Sequence, residues 1–258
     1  MTTDVVCRLS PEEEELAAKR EELARLEAEL ADRELALASL KAELATFEGL
    51  YLRRVGILYA ELDEWTARLA ELNAKKIATP EADSEAAAAR AQAKESYSAA
   101  HSEAAEAQPI ALSPELKKLY REAAKRVHPD TAIDDADRAR RERLMKEVNA
   151  AYGRGDESEL RRILVNLENS PEGVQGSGVG ADLVRVLRQL RQIRDRMAAI
   201  ELEIVGLAEA DLAKLKAKEA LAAAQGLDLF AEMAASVQGR INVIRQQFDS
   251  ESNEGAKA

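Results

Sequence analysis

Apolar side chains recur at every seventh position from Leu16 to Leu72: Leu16, Leu23, Leu30, Leu37, Leu44, Tyr51, Leu58, Trp65 and Leu72. A repeat of seven sustained over that length fits a helix with one buried stripe. A strand would alternate every second residue, and a loop would show no period. The second seam position falls three residues later in the first half, at Leu26, Leu40 and Phe47. In the second half it falls four residues later, at Val55, Leu62 and Leu69. The register therefore changes near Gly49. Gly49 and Gly56 each cost about 1 kcal/mol inside a helix, so a kink or tight hairpin is expected there.

The start of this element is marked by Ser10 as a cap, Pro11 at the first helical position and Glu13 completing a capping box. Unbroken, a helix from Pro11 to Lys76 would span about 100 Å at the helical rise per residue. Two packings satisfy such a stripe. It can form a rod that dimerises or adapts to a client, or it can pair with another helix of the same chain.

Composition agrees with helices. Only 3% of residues are aromatic and 33% are charged, a profile of long helices and coiled coils rather than sheets. The expected fold is all-α, with long coiled-coil helices flanking a smaller helical segment. A net charge of −11 argues against a general nucleic-acid binder or an anionic-membrane binder, which need concentrated Lys and Arg. The single cysteine, Cys7, leaves no intramolecular disulfide and no Cys-based zinc site. The N-terminus has neither a basic nor an apolar leader region, and no run approaches a membrane span. A soluble cytoplasmic protein is expected, without metal or cofactor.

Composition shifts divide the chain. Residues 10–76 form the N-terminal coiled coil. Residues 77–112 read as an Ala-rich linker, a marginal helix or tether: 14 of the 35 residues from Ala78 to Leu112 are Ala, and few large apolar side chains remain to bury. Residues 169–180 carry the Gly- and Ser-rich run SPEGVQGSGVG, expected to be a flexible linker. Residues 181–248 resume helical spacing at Leu183, Val186, Leu190, Ile193, Met197, Ile200, Ile204 and Leu207. The pattern lapses at Asp211 and Lys214 and returns from Phe230 to Phe248, which predicts a helical hairpin or an interrupted coiled coil. Residues 249–258 are expected to be a disordered tail.

Between Ser113 and Glu168 the chain carries 13 basic and 12 acidic residues, near neutrality in an otherwise acidic protein. Ser113 and Pro114 open a helix that buries Leu116, Tyr120, Ala123, Ala124 and Val127 and exposes Lys117, Lys118, Arg121, Lys125 and Arg126. Pro129 stops it. A polar loop follows, with Asp134, Asp135 and Asp137 available as caps. A second helix places Leu144, Met145, Val148, Ala151 and Tyr152 on its apolar side, so the two helices should pair antiparallel. Gly153 and Gly155 end it, and Asp156 with Glu159 starts a short third helix bearing Leu160, Ile163, Leu164 and Leu167. His128 and Asp130 follow the helix-stopping position and border the polar loop, so both are expected outside the core.

This segment resembles the J-domain family of co-chaperones. KKLYREAAKRVHPD is similar to that family's second helix running into its His-Pro-Asp loop, here His128, Pro129 and Asp130. MKEVNAAY is similar to the end of the third helix, and DESELRRIL stands where a short fourth helix follows. The resemblance covers residues 113–168, about a fifth of the chain. The family's first helix has no counterpart upstream. Glu122 and Ala123 stand where basic and larger apolar residues are usual, and the stretch after the loop is a few residues longer than common. Neither a Gly/Phe-rich region nor a Cys-rich zinc module is present, so the likeness is to the minimal type.

The resemblance implies docking on a DnaK-type ATPase chaperone and stimulation of its ATP hydrolysis. Asp130 would pair with an arginine of the chaperone, while His128 and Pro129 shape the loop. Lys117, Lys118, Arg121 and Arg126 would meet an acidic surface, and Asn149 would brace the loop or face solvent. Such charges steer association and set orientation.

The chain itself is not expected to be an enzyme. His128 and Asp130 as an acid–base or metal pair lack a nucleophile, further ligands and a phosphate loop, and His101 is the only other histidine. The rival reading is a coiled-coil scaffold or assembly protein with a vestigial J-like domain. A homodimer through Leu16–Leu44 is the favoured assembly. The client is not specified.

Overall fold

In the computed structural model, residues 10–102, 112–132, 134–168 and 178–255 are described. They form helices α1 (Pro11–Tyr51), α2 (Ile57–Ile77), α3 (Pro80–Ala100), α4 (Pro114–Val127), α5 (Asp135–Gly153), α6 (Glu157–Glu168), α7 (Val179–Glu209), α8 (Asp211–Ala224) and α9 (Leu229–Gly255). No strand occurs among the described residues, and the protein is all-α. No helix among them is long and apolar enough to cross a membrane.

The helices sort into two compact units that interleave along the chain. The first takes Met1–Ala42 and Ile110–Ala208, the second Glu43–Pro109 and Glu209–Ala258. The chain is therefore not a series of consecutive domains: α1 gives its first part to one unit and its end to the other.

The capping signals act as the sequence predicts. Ser10 and Glu13 form a reciprocal box, with Ser10 N donating to Glu13 Oε2 at 2.7 Å and Glu13 N to Ser10 Oγ at 3.3 Å. Ser113 Oγ accepts from Leu116 N at 2.9 Å, Asp134 Oδ1 from Asp137 N at 2.8 Å, and Asp156 Oδ1 from Glu159 N at 3.0 Å.

In the first unit, the leucine stripe of α1 is filled by the same chain. Leu16, Leu26, Leu30 and Leu37 pack against Val186, Leu190, Ile193 and Ile200 of α7. Of the two packings open to the stripe, this single chain shows the intrachain one. Exposed ion pairs line its edges, among them Arg20–Asp182, Arg33–Glu201 and Lys41–Glu203. A second core joins α4, α5 and α6 through Leu116, Tyr120, Ala123, Val127, Val148, Tyr152 and Leu160, and α1 adds Ala31 and Leu35 to it.

In the second unit the register change is resolved without a hairpin, inside continuous helix. A single π-helical turn, Leu52–Gly56, links α1 to α2 and inserts one residue into the repeat. Gly56 suits that turn, because a Cβ there would stand 3.0 Å from Leu52 Cδ2. Phe47 and Val55 pack with Phe230, and Leu62 with Val237 and Ile241 of α9. Trp65 is a packing residue on this seam, its ring 5.8 Å from that of Phe248 and flanked by the Arg68 and Arg245 guanidinium groups.

Three segment assignments are corrected here. Of the stretch read as a marginal helix or tether, residues 80–100 are helix, α3, but not a solvated one: it runs along α2 with Ala86, Ala93 and Ala100 buried. Its polar flank is pinned as well: Arg90 bonds Glu71 at 2.8 Å and Glu64 at 2.5 Å. The C-terminal region contains three helices rather than a simple hairpin. It breaks at Ala210 and turns between α8 and α9 at Gly226, whose φ of 77° is left-handed. The tail is helical through Gly255. The linker at 169–180 falls largely on residues outside those described, as do Cys7 and residues 103–111.

Candidate functional site

Helix α4 ends where Pro129 withdraws a donor, and the next three residues close into a single 3₁₀ turn, Pro129–Thr131. His128 caps that turn. Its Nδ1 accepts from Asp130 N at 3.2 Å, its carbonyl accepts from Thr131 N at 3.1 Å, and Thr131 Oγ1 donates to the same carbonyl at 2.8 Å. Because Nδ1 is an acceptor, the geometry assigns the ring proton to Nε2, which donates to Glu34 Oε1 at 3.1 Å.

His128 is thus not outside the core, contrary to the sequence expectation: it is 3% exposed, as enclosed as the apolar residues beside it. The reason is that two helices remote in sequence cover the turn. From α1 comes Glu34, itself 4% exposed. From α7 come Arg196, whose Nε donates to Glu34 Oε1 at 2.7 Å, and Gln189, whose Nε2 donates to the Thr131 carbonyl at 3.2 Å. Burial alone would push the Glu34 carboxyl up; the hydrogen bonds from His128 and Arg196 outweigh it and hold the group below the ordinary carboxylate value. Desolvation opposes the Arg196 charge, yet its bond to Glu34 and the further fields of Glu203 and Asp130 raise its pKa.

The Asp130 carboxylate is half-buried, 24% accessible, with its Oδ2 3.8 Å from His128 Nδ1. The far side of the loop is held by Arg141, which donates to Thr131 Oγ1 at 2.8 Å, to the Arg126 carbonyl at 3.0 Å and to Asp137 Oδ2 at 2.7 Å. Those bonds run from the end of α4 to the start of α5, and Tyr120–Asn149 joins the helices farther along. The pair is therefore antiparallel, as the sequence predicts.

The basic residues divide into two groups. Lys118 is exposed and Lys117 half-buried, and neither makes an ion pair among the described residues. Arg121 is paired with Asp32 of α1, and Arg126 with Glu122 one turn back in α4 at 2.7 Å. Asn149 is exposed and does not brace the loop. Its Oδ1 accepts from Tyr120 Oη at 2.7 Å, two turns of α4 before His128.

Sequence reasoning missed Asp32, Glu34, Gln189 and Arg196. Each sits beside a heptad stripe, where a polar residue carries no signal. The available clue was a second apolar stripe on α1, Ala31, Leu35 and Ala38, which packs on the α4–α6 core. Among the described residues no group of three or more His, Cys, Asp or Glu side chains is arranged to hold a metal.

No protein-family model, curated protein or solved structure matches this chain.

Proposed function

We propose that the chain is a cytoplasmic co-chaperone of the J-domain type, whose 113–168 segment docks on a DnaK-type ATPase chaperone and stimulates its hydrolysis of ATP. The observation that carries this reading is the His128–Pro129–Asp130 turn. It closes a basic amphipathic helix, is fixed by its own backbone hydrogen bonds, and leaves the Asp130 carboxylate partly accessible. A rigid turn with one partly accessible acid, at the end of a helix that bears Lys117 and Lys118 near its start, suits docking on a surface that offers an arginine within an acidic field. Such a contact biases a two-state partner by binding one state better. Bond breaking then occurs in the chaperone, and this chain needs no catalytic group or cofactor.

The test is ATP turnover by a purified DnaK-type chaperone with the full chain added. Wild type is expected to stimulate it, and Asp130→Asn to reduce stimulation at least tenfold while the melting temperature stays within about 2 °C, as for surface substitutions. Equal stimulation by wild type and Asp130→Asn sinks the reading.

One observation favours the scaffold alternative, in which the J-like segment only mediates assembly. His128, the first residue of the turn, is committed to contacts inside its own chain. On that reading neither wild type nor any loop variant alters ATP turnover.

A further inference from the structure

The residues that cover the loop share one property: each offers it the charge or hydrogen bond that an external partner would offer. Asp32 of α1 already neutralises Arg121 on the basic helix. Glu34 accepts the hydrogen bond from His128 Nε2. Arg196 of α7 lies where the charges of both Glu34 and Asp130 act on it, and Gln189 takes the Thr131 carbonyl. A carboxylate at the basic face and a guanidinium near Asp130 are the groups a docking partner must supply itself.

The two covering helices are not equivalent. Helix α1 places Ala31 and Leu35 within the α4–α6 core, so it belongs to the fold of this segment. Helix α7 contributes no residue to that core. It packs on α1 through Val186, Leu190, Ile193 and Ile200, and its hydrogen bonds at the loop are polar side-chain contacts: Gln189 to the Thr131 carbonyl, and Arg196 to Glu34, the acceptor of His128. Those polar contacts can open without breaching the apolar interior of α4–α6.

We propose that the docking loop is autoinhibited in cis: Asp32 of α1 pairs Arg121 of the basic helix, while Gln189 of α7 holds the Thr131 carbonyl and Arg196 holds the Glu34 that His128 bonds, so chaperone docking competes with these intrachain contacts. The proposal rests on the co-chaperone reading. A site whose competent form is only partly populated binds with an affinity reduced by that fraction, so removing the latch raises apparent affinity without adding a contact.

The experiment compares full-length wild type with Gln189→Ala/Arg196→Ala and, separately, with Asp32→Ala. The last is an exposed change, its side chain 58% accessible, which leaves every buried contact in place. The half-saturating concentration for stimulating a purified DnaK-type chaperone is measured for each. In parallel, amide hydrogen exchange is followed at residues 130–132 and across α5. Expected is a fall of about tenfold for the α7 double variant and about twofold for Asp32→Ala, in line with populations shifted by one latch or one exposed pair. Exchange at 130–132 should quicken in the double variant while α5 stays protected. If half-saturation is unchanged in both variants and Asp130→Asn still abolishes stimulation, the autoinhibition is wrong and the docking reading stands. If no variant stimulates and Asp130→Asn makes no difference, the docking reading fails and takes the inference with it. Should the double variant lose protection throughout α5, Asp32→Ala alone decides, and an unchanged half-saturation there overturns the proposal.

Discussion

Glu34 accepts hydrogen bonds from both His128 and Arg196 at one buried oxygen. Buried polar groups of this kind are costly to strand, so His128→Gln, which loses the ring acceptor for Asp130 N, should lower unfolding free energy by about 1–3 kcal/mol. Urea denaturation measures this. A turn lying free in solvent would show almost no change. For the same reason His128 substitutions mix stability with docking, and Asp130→Asn is the cleaner probe of function.

The Glu34 carboxyl also sets a pH dependence. Its pKa in the folded chain lies below the ordinary value of 4.5. Its ionised form therefore stabilises the fold above that value, and the contribution is lost as pH falls toward the depressed folded one. The urea midpoint of wild type should then drop more than that of Glu34→Gln on acidification from roughly pH 5 downward. Parallel curves would show that the carboxylate gains nothing from its two donors. From the sequence, the His-Pro-Asp turn was legible as a turn because Pro129 and the polar loop are local signals. Its burial was not, because it depends on Glu34 and Arg196, which lie 94 and 68 residues from His128 along the chain.

At the scale of the helix, caps and stripes were readable and small residues were not. Ser10, Ser113, Asp134 and Asp156 each cap the helix that the sequence assigned to them. The register change was equally visible, but its resolution as a π turn was not, since a one-residue insertion changes the spacing just as a kink at Gly49 would. The alanines of α3 misled for a different reason. Large side chains are what make a hydrophobic period visible, whereas Ala86, Ala93 and Ala100 keep a strict spacing of seven with the smallest side chain that can pack. Small faces let helix backbones approach closely, leaving little space for more atoms. Ala93→Leu should therefore destabilise the chain by about 1–3 kcal/mol through overpacking, read as a lower urea midpoint. A solvated tether would tolerate the same change, and Ala is there the residue with nothing to lose.

For the molecule as a whole, the long stripe on α1 fixes which surfaces remain for others. Adjacent-segment reading produces domains in series, yet a helix as long as α1 outlasts any one core and gives residues to both units, so the units interleave. That arrangement follows from helix length and pairing distance, neither of which a local motif reports. It also bears on assembly. Leu30 and Leu37 are 1% and 3% exposed beneath α7, so a partner chain can reach this seam only by displacing that helix. Replacing Leu23, Leu30 and Leu37 together by Ser tests the point. If the stripe holds α7 within the chain, each fully buried leucine lost costs about 2–5 kcal/mol. That is comparable with the stability of a whole domain. Far-UV circular dichroism should then show lost helix or a much lower melting temperature, while light scattering of wild type gives the mass of one chain. A wild type of twice that mass, halved by the triple substitution with helicity intact, would instead assign the stripe to a second copy. In that case α7 would be displaced from α1 in the assembled protein, and its hold on the His128 turn would be released by assembly.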